Sequence, residues 1–287
     1  MSREAADVLL SLTMLRPEER LLLDALRSRG VTVRTALPPD LAGVLSGQEA
    51  APRLVVLRNL SHREAIGTAR RLEQAGVPTF NSAAAIEVCN DKGLQALMLA
   101  RHGIAHPRSL HAFTHDQVRE AVEELGWPSV VKPVSGSWGR GVVRLVDEEC
   151  LDVWTGARES VDATGKLFPV LVQQYVEKPG HDLRVVVVGR EPVVAFRRVS
   201  EDWRTNTHLG AQVERAELTE EMAKLCLAVV DQLGEGFYGV DLIEDRETGE
   251  TAVLEVNANP EFAKSSALHG VDVAGRLADH LAASLPG

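Results

Sequence analysis

Two short apolar runs, Val130-Val131 and Val142-Val143, flank the stretch K-P-V-S-G-S-W-G-R-G. Apolar pairs around a turn predict a hairpin, yet this turn is far longer than strand pairing needs. Gly136, Gly139 and Gly141 let the backbone come close to a ligand. Ser135 and Ser137 offer hydroxyls, Trp138 and Arg140 complete the loop, and Lys132 enters from the strand just before it. Such a loop suits a polyphosphate. A mobile surface hairpin would read much the same, so both readings stay open on this stretch alone. The spacing is not that of a P-loop, and no helix pattern begins at its end, which excludes a dinucleotide-binding turn.

Upstream of the hairpin the pattern alternates. Val8 to Leu12 reads as a buried strand, Pro17 to Arg29 as a helix stopped by Gly30, and Val31 to Thr35 as a second strand. Arg53 to Leu57, Glu64 to Ala75 and Val77 to Phe80 repeat the cycle, which predicts a small open parallel sheet. A helix-rich stretch, Ala83 to His102, carries Asn90-Asp91-Lys92 midway, and Val118 to Leu125 is a further helix. Leu171 to Val176, Leu183 to Val188 and Pro192 to Val199 read as consecutive antiparallel strands. Thr219 to Leu233 reads as a helix, and Tyr238 to Glu244 with Thr251 to Val256 as strands around a turn. The expected class is α/β with α+β lobes, divided at 1–88, 89–173 and 174–287.

Charge narrows the partners. The 287 residues carry 31 basic and 41 acidic groups, a formal net charge of −10, which argues against generic nucleic-acid or anionic-membrane binding. Only six of the basic residues are lysines, so Lys92 at a helix start and Lys132 beside the glycine loop stand out. The three cysteines are far apart and suggest neither a disulfide framework nor zinc. With no signal-peptide pattern and no membrane-length apolar run, a reducing cytoplasm is the expected compartment.

A second constellation lies near the end. Asp241 sits in G-V-D-L, and Glu255, Asn257 and Asn259 in L-E-V-N-A-N-P. On an extended segment residues two apart share a face, so Glu255 and Asn257 point one way while Leu254 and Val256 point into the core. Two carboxylates and an amide, without histidine or thiolate, suit Mg²⁺ (or Mn²⁺) partly held by substrate phosphates. The alternative is the polar outer face of a two-stranded ribbon. Between the two constellations, Gln174, Tyr175 and Val176 end a strand that can meet an adenine edge. Asp182 is placed for a ribose hydroxyl and Arg184 for phosphates. Arg197, Arg198, Arg204 and Asn206 form a cationic, amide-rich segment that is otherwise a solvated loop.

Taken in order, D-K at Asp91-Lys92, V-V-K-P with S-W-G-R-G, Q-Y-V-E-K-P-G-H-D-L-R, R-R followed by T-N, V-D-L and L-E-V-N-A-N-P-E-F resemble the ATP-grasp ligases. The similarity runs from Leu15-Arg16-Pro17 to the final helix. It is greatest to the subgroup containing the ribosomal-protein glutamate ligase RimK and the carrier-protein ligases LysX and ArgX, with S-W-G-R and Glu261-Phe262-x-x-Ser265 leaning toward LysX.

The resemblance implies an N-terminal parallel-sheet domain and two lobes that clasp ATP. Lys92, Lys132 and the Ser135 to Gly141 loop would hold phosphates. Gln174, Tyr175 and Val176 would hold adenine, and Asp182 ribose. Arg184, Arg197 and Asn206 would face the transferred phosphoryl group, and Asp241, Glu255 and Asn257 would bind Mg²⁺. Arg198, Arg204, Asn259, Glu261, Phe262 and Ser265 would serve the substrates.

The expected reaction is ADP-forming carboxylate–amine ligation through an acyl phosphate. It would join an amino acid to the C-terminal glutamate of a small acidic carrier protein, in a homo-oligomer. Ligation of small molecules or peptides, or glutamate addition to a protein C-terminus, is the alternative within the class, and a nucleotide-binding regulatory module is the alternative outside it. Thr207 to Ala211 departs from the LysX pattern, lacking an arginine and a second glycine, which leaves the amine unassigned. An acidic carrier would need a local cationic entrance, for which Arg197, Arg198 and Arg204, with Arg58, Arg63, Arg70 and Arg71 as an outer rim, are the candidates.

Overall fold

The computed structural model describes residues 6–136, 139–162, 165–205 and 210–285. The chain opens with β1 (Val8–Leu12), α1 (Pro17–Ser28), β2 (Val33–Ala36), a 3₁₀ turn (Pro38–Leu41), α2 (Ala42–Leu45), β3 (Leu54–Arg58), α3 (His62–Gln74) and β4 (Thr79–Phe80). These strands form a parallel sheet in the order β2-β1-β3-β4, as the alternation predicts. Pro17 presets the first turn of α1, and the Glu19 carboxylate accepts the Arg16 backbone N–H at 3.0 Å, satisfying a donor at the helix start. Ser61 caps α3 by accepting from the Glu64 N–H.

The Ala83 to His102 stretch is two helices, α4 (Ala83–Cys89) and α5 (Lys92–Arg101). Asp91 separates them: its Oδ1 accepts from the N–H groups of Gly93 and Leu94 at 2.8 and 3.0 Å, so a new helix starts with Lys92 in its first position. Next come β5 (Ser109–Ala112), α6 (His115–Leu125), β6 (Ser129–Pro133), β7 (Val143–Leu145), α7 (Glu148–Val161) and β8 (Val170–Gln174). The expected hairpin forms, with Val131 opposite Val143. The sheet order is β5-β8-β6-β7. Neither β5 nor α7 is foreseen from the pattern: β5 is four residues long, and α7 buries little beyond Leu151 and Trp154.

The remainder comprises β9 (His181–Gly189), β10 (Glu191–Val199), β11 (Gln212–Ala216), α8 (Glu220–Leu233), β12 (Gly236–Glu244), β13 (Thr251–Asn257), α9 (Ala263–His269) and α10 (Val273–Ala283). They build a sheet in the order β11-β10-β9-β12-β13. One expectation is corrected here. β8 does not continue the run into β9; the Lys178-Pro179-Gly180 segment carries the chain from one sheet to the other. The valine run of β9 is buried on both faces. Val185 and Val187 pack with Cys226, Val229 and Val230 of α8, whereas Val186 and Val188 share a core with β1, α1 and α10. All three cysteines are free, and among the described residues no helix is long and apolar enough to cross a membrane.

The N-terminal sheet is pinned to the third one by a buried charge. Arg58, at the end of β3 and 2% exposed, donates from Nε to Glu19 at 2.9 Å and from Nη2 to the Pro260 carbonyl at 3.1 Å. Its guanidinium lies 5.6 and 5.9 Å from the ring centroids of Phe237 and Phe262. Burial alone would raise the pKa of Glu19, but Arg16 and Arg58 outweigh it and hold the carboxylate below its ordinary range. Arg58 is therefore not part of a surface rim. Replacing Arg58 by Ala leaves Glu19 to Arg16 alone and removes the link to Pro260, and is expected to cost about 1.5–3 kcal/mol of stability, the worth of a charge-assisted hydrogen bond, measured by chemical denaturation. A loss within experimental error would show that the pin carries no weight.

Candidate active site

The second and third sheets face each other across a cleft with a cavity of about 280 Å³, and the N-terminal sheet closes one end. Its floor is the β12–β13 ribbon. Asp241 pairs directly with Glu255, and Gly239 with Asn257, so the three expected donors share one face. A side-chain Cβ at Gly239 would stand 2.9 Å from Pro260, so the residue opposite Asn257 must stay small. The register slips between Asp241 and Leu242, leaving Leu254 as the extra residue of a bulge. Leu254 consequently lines the cleft beside Glu255 instead of pointing into the core as strict alternation predicts. Gln95 of α5 clamps the next residue: its amide donates to the Val256 carbonyl at 3.1 Å and accepts the Val256 N–H at 2.7 Å.

The acidic floor is heavily compensated. Asp241 receives Arg184 through two bonds of 2.5 and 2.8 Å, and Arg198 shares its Oδ2 at 3.0 Å. Arg198 also grips both oxygens of Asp182 at 2.7 Å, and Thr205 donates its hydroxyl to the same carboxylate. Burial opposes the charge on Asp241, but Arg184 and then Arg198 outweigh it and hold its pKa below the carboxylate range. Burial likewise works against Arg198, and the two aspartates more than reverse it.

Two expectations change as a result. Arg198 is buried, 4% exposed, and cannot form part of a cationic entrance. Asp182 lines the cleft with both carboxylate oxygens already engaged, which leaves only their spare lone pairs for a ribose. Arg197, one residue along, is exposed on the opposite face of β10 and does not line the cavity. Of the two adjacent arginines, it is Arg198 that faces the cleft.

Above the floor stand the lysines. Lys92 donates to the Gly136 carbonyl at 2.8 Å and pairs with Glu255 at 3.0 Å, so it bridges the glycine loop and the acidic face. Lys132 is buried, donates to Gln173 Oε1 at 2.7 Å, and has its pKa pushed down to about 8, chiefly by burial. Ser135, Gly136, Gly139 and Arg140 line the cavity. Gly141 does not, and Val142 takes its place. Ser137, Trp138 and Asn206 lie outside the described residues.

At the far end from the N-terminal sheet, Gln174, Tyr175 and Val176 meet the apolar walls Pro107, Val130, Ile243 and Leu254, a slot of the kind a flat heterocycle fills. Trp203 packs edge-on to Tyr175 at 6.2 Å, and Arg144 donates to the Tyr175 hydroxyl. Toward the N-terminal sheet the walls are Arg16, Asn59, Leu60, His62, Asn259 and Glu261. Arg204 lines the cavity and is paired with Asp202.

Phe262 and Ser265 do not reach the cleft. Phe262 packs on Phe237, and the buried Ser265 hydroxyl donates to the Phe262 carbonyl. Sequence reasoning missed Gln173, Lys178, Trp203 and Thr205, although E-K-P-G and W-R-T-N adjoin residues that it did single out.

The donor chemistry fits a hard divalent ion. The Asp241 and Glu255 carboxylates share one face with the Asn257 side-chain amide, whose nitrogen is buried without a partner. Two carboxylates and an amide oxygen leave the remaining coordination to phosphate oxygens and water.

A cleft between two antiparallel sheets, with lysines above and an acidic ribbon below, defines the class. Residues 89–281 match the RimK-like ATP-grasp domain and residues 8–88 the LysX preATP-grasp domain. The chain belongs to the RimK-like ATP-grasp family and is an ATP-dependent carboxylate–amine ligase. It is 33% identical over 269 residues to the alpha-aminoadipate–LysW ligase LysX of Sulfurisphaera tokodaii, covering 92% of this chain and 94% of that protein. The glutamate–LysW ligase ArgX of the same organism is 30% identical, with 96% and 97% covered. Among solved structures, a RimK-domain ATP-grasp protein from Sphaerobacter thermophilus superposes with a TM-score of 0.78 at 26% identity, covering 96% of this chain and 99% of that one.

Removing either cleft lysine should weaken nucleotide binding. Lys132→Ala and Lys92→Ala are each expected to raise the Kd of a non-hydrolysable ATP analogue by about 10-fold or more, the worth of a charge-assisted hydrogen bond. Lys224→Ala, on an exposed face of α8, should leave it unchanged. Calorimetric titration reads all three. Because Lys132 loses its proton near pH 8, affinity should also fall as pH rises through that value, and Lys132→Arg should flatten the dependence.

Proposed function

We propose that the protein joins the amino group of an amino acid to the C-terminal carboxylate of a small acidic carrier protein, through an acyl phosphate. The observation that carries this reading is the facing of Lys92 and Lys132 against Asp241, Glu255 and Asn257 within one cavity whose far end is an apolar slot. The slot receives adenine, and the lysines and glycine loop receive the phosphates. Arg184 and Arg198 neutralise charge where the carboxylate attacks the γ-phosphorus. Asp241, Glu255 and Asn257 are the residues that would hold Mg²⁺, which, when bound, draws off negative charge from the phosphates. In-line placement of carboxylate and γ-phosphate lowers the barrier through orientation, and no nucleophile from the protein is required.

The carrier reading is supported by the names of the LysX and ArgX relatives, which designate ligases of the carrier LysW. A surface depression of about 1090 Å³ beside the cleft supports the reading: Arg63, Arg70 and Arg71 border it together with Glu87 and Asp91, Arg70 being paired with Glu87, which leaves Arg63 and Arg71 as the cations for an acidic partner. The depression shares His62, Asn90 and Ser135 with the cleft wall, so a tail lying there runs into the site.

Glu255→Gln keeps shape and removes charge. It is expected to bind the ATP analogue within a few-fold of the native protein while losing at least about 100-fold in ADP release, the scale of a lost electrostatic contact at a transition state. Normal turnover at limiting Mg²⁺ would show that Glu255 holds no metal.

Charge reversal at Arg63 or Arg71 is expected to raise the KM for an acidic carrier several-fold while leaving the KM for ATP in place, and added salt should narrow the difference. Full-rate ligation of free amino acids without any carrier would replace the carrier reading with a small-molecule ligase.

A further inference from the structure

An amino acid reaches the cleft as an ammonium ion, and an ammonium nitrogen has no lone pair with which to attack an acyl phosphate. A ligase of this kind needs a proton acceptor on the amine side of the site. His62, the first residue of α3 after the Ser61 cap, lines the cleft beside Asn59 and Leu60. Among the described residues it is the one histidine lining the cleft, and none of them hydrogen-bonds its ring. It lines both the surface depression and the cleft, so on the proposed reading it stands beside the carrier tail whose acyl phosphate the amine attacks.

Building on the acyl-phosphate reading, we propose that His62 is the general base that takes the proton from the incoming amine. The ring accepts one proton from the ammonium group, and the freed lone pair attacks the carbonyl carbon. The C–N bond forms, the C–O bond to phosphorus-bound oxygen breaks, and its electron pair leaves on phosphate. The second proton lost from nitrogen departs with the phosphate, and the imidazolium passes its own to solvent.

The surroundings favour a neutral ring. Burial, then the charge of Lys92, lowers the His62 pKa below the ordinary histidine range, and Glu255 opposes this. Arg16, from the segment before α1, pairs with Glu19, and Glu64, on the same helix as His62, accepts from the Asn59 amide. The neighbouring cleft residues Asn59 and Asn90 carry no charge. A neutral imidazole at working pH is ready to accept a proton.

The test compares two amines on a peptide ending in glutamate: hydroxylamine, whose nitrogen is already unprotonated at neutral pH, and a mixture of the common amino acids with α-aminoadipate. In His62→Gln the ratio of hydroxamate to amide formed should rise on the order of 100-fold, the usual contribution of a positioned base. Its amide rate should recover as pH is raised and the amino acid deprotonates in solution. Native enzyme should show an acid limb, set by an apparent pKa below the ordinary histidine value of 6.5, that the variant lacks. An unchanged ratio overturns the proposal, whether both products fall together or neither falls. Hydroxamate missing even from native enzyme overturns the acyl-phosphate chemistry beneath it, and the proposal with it.

Discussion

Asp241 can stay ionised inside the protein because two arginines hold it there. A buried carboxylate is stable only when paired and hydrogen-bonded, and Arg184 and Arg198 supply both, with Asp182 and Thr205 completing the network. The consequences spread through the fold. Arg184 is on β9, Arg198 on β10 and Asp241 on β12, so the network ties together three neighbouring strands of one sheet. Through the pairing of Asp241 with Glu255, it also fixes the face that Glu255 and Asn257 present to the cleft. The same arginines line the cleft, so in the proposed reaction the electrostatics that hold the fold also prepare the site.

A second buried charge does similar work at the other end. Arg58 and Glu19 join the N-terminal sheet to the Pro260 turn, and Asn259 donates to the Asn59 carbonyl beside them. This end of the cleft is therefore made from two parts of the chain in direct contact. Arg16, His62, Asn259 and Glu261 meet there although they lie far apart in sequence.

Much of this was legible before any coordinates. Alternation placed the parallel sheet and the hairpin, and the two-residue strand period put Glu255 and Asn257 on one face. The same period has no sign without a register: it tells that Arg197 and Arg198 point oppositely, not which one faces the cleft. A bulge broke the rule at Leu254. Arg58 looked like surface because arginine usually is, and its partners Glu19 and Pro260 come from distant segments. Phe262 and Ser265 follow a motif that resembles a substrate loop, yet Phe237 draws them into the core. The E-K-P-G turn switches sheets, and no local pattern distinguishes such a switch from a hairpin.

The central claim is that a carboxylate is activated by the γ-phosphate of ATP before the amine arrives. The most direct measurement supplies a glutamate-terminated carrier or peptide with heavy oxygen in both carboxylates of its terminal glutamate and follows the label by mass spectrometry after ligation. An acyl phosphate requires that one labelled oxygen leave with inorganic phosphate, alongside ADP. Phosphate free of the label, or AMP in place of ADP, would contradict the account.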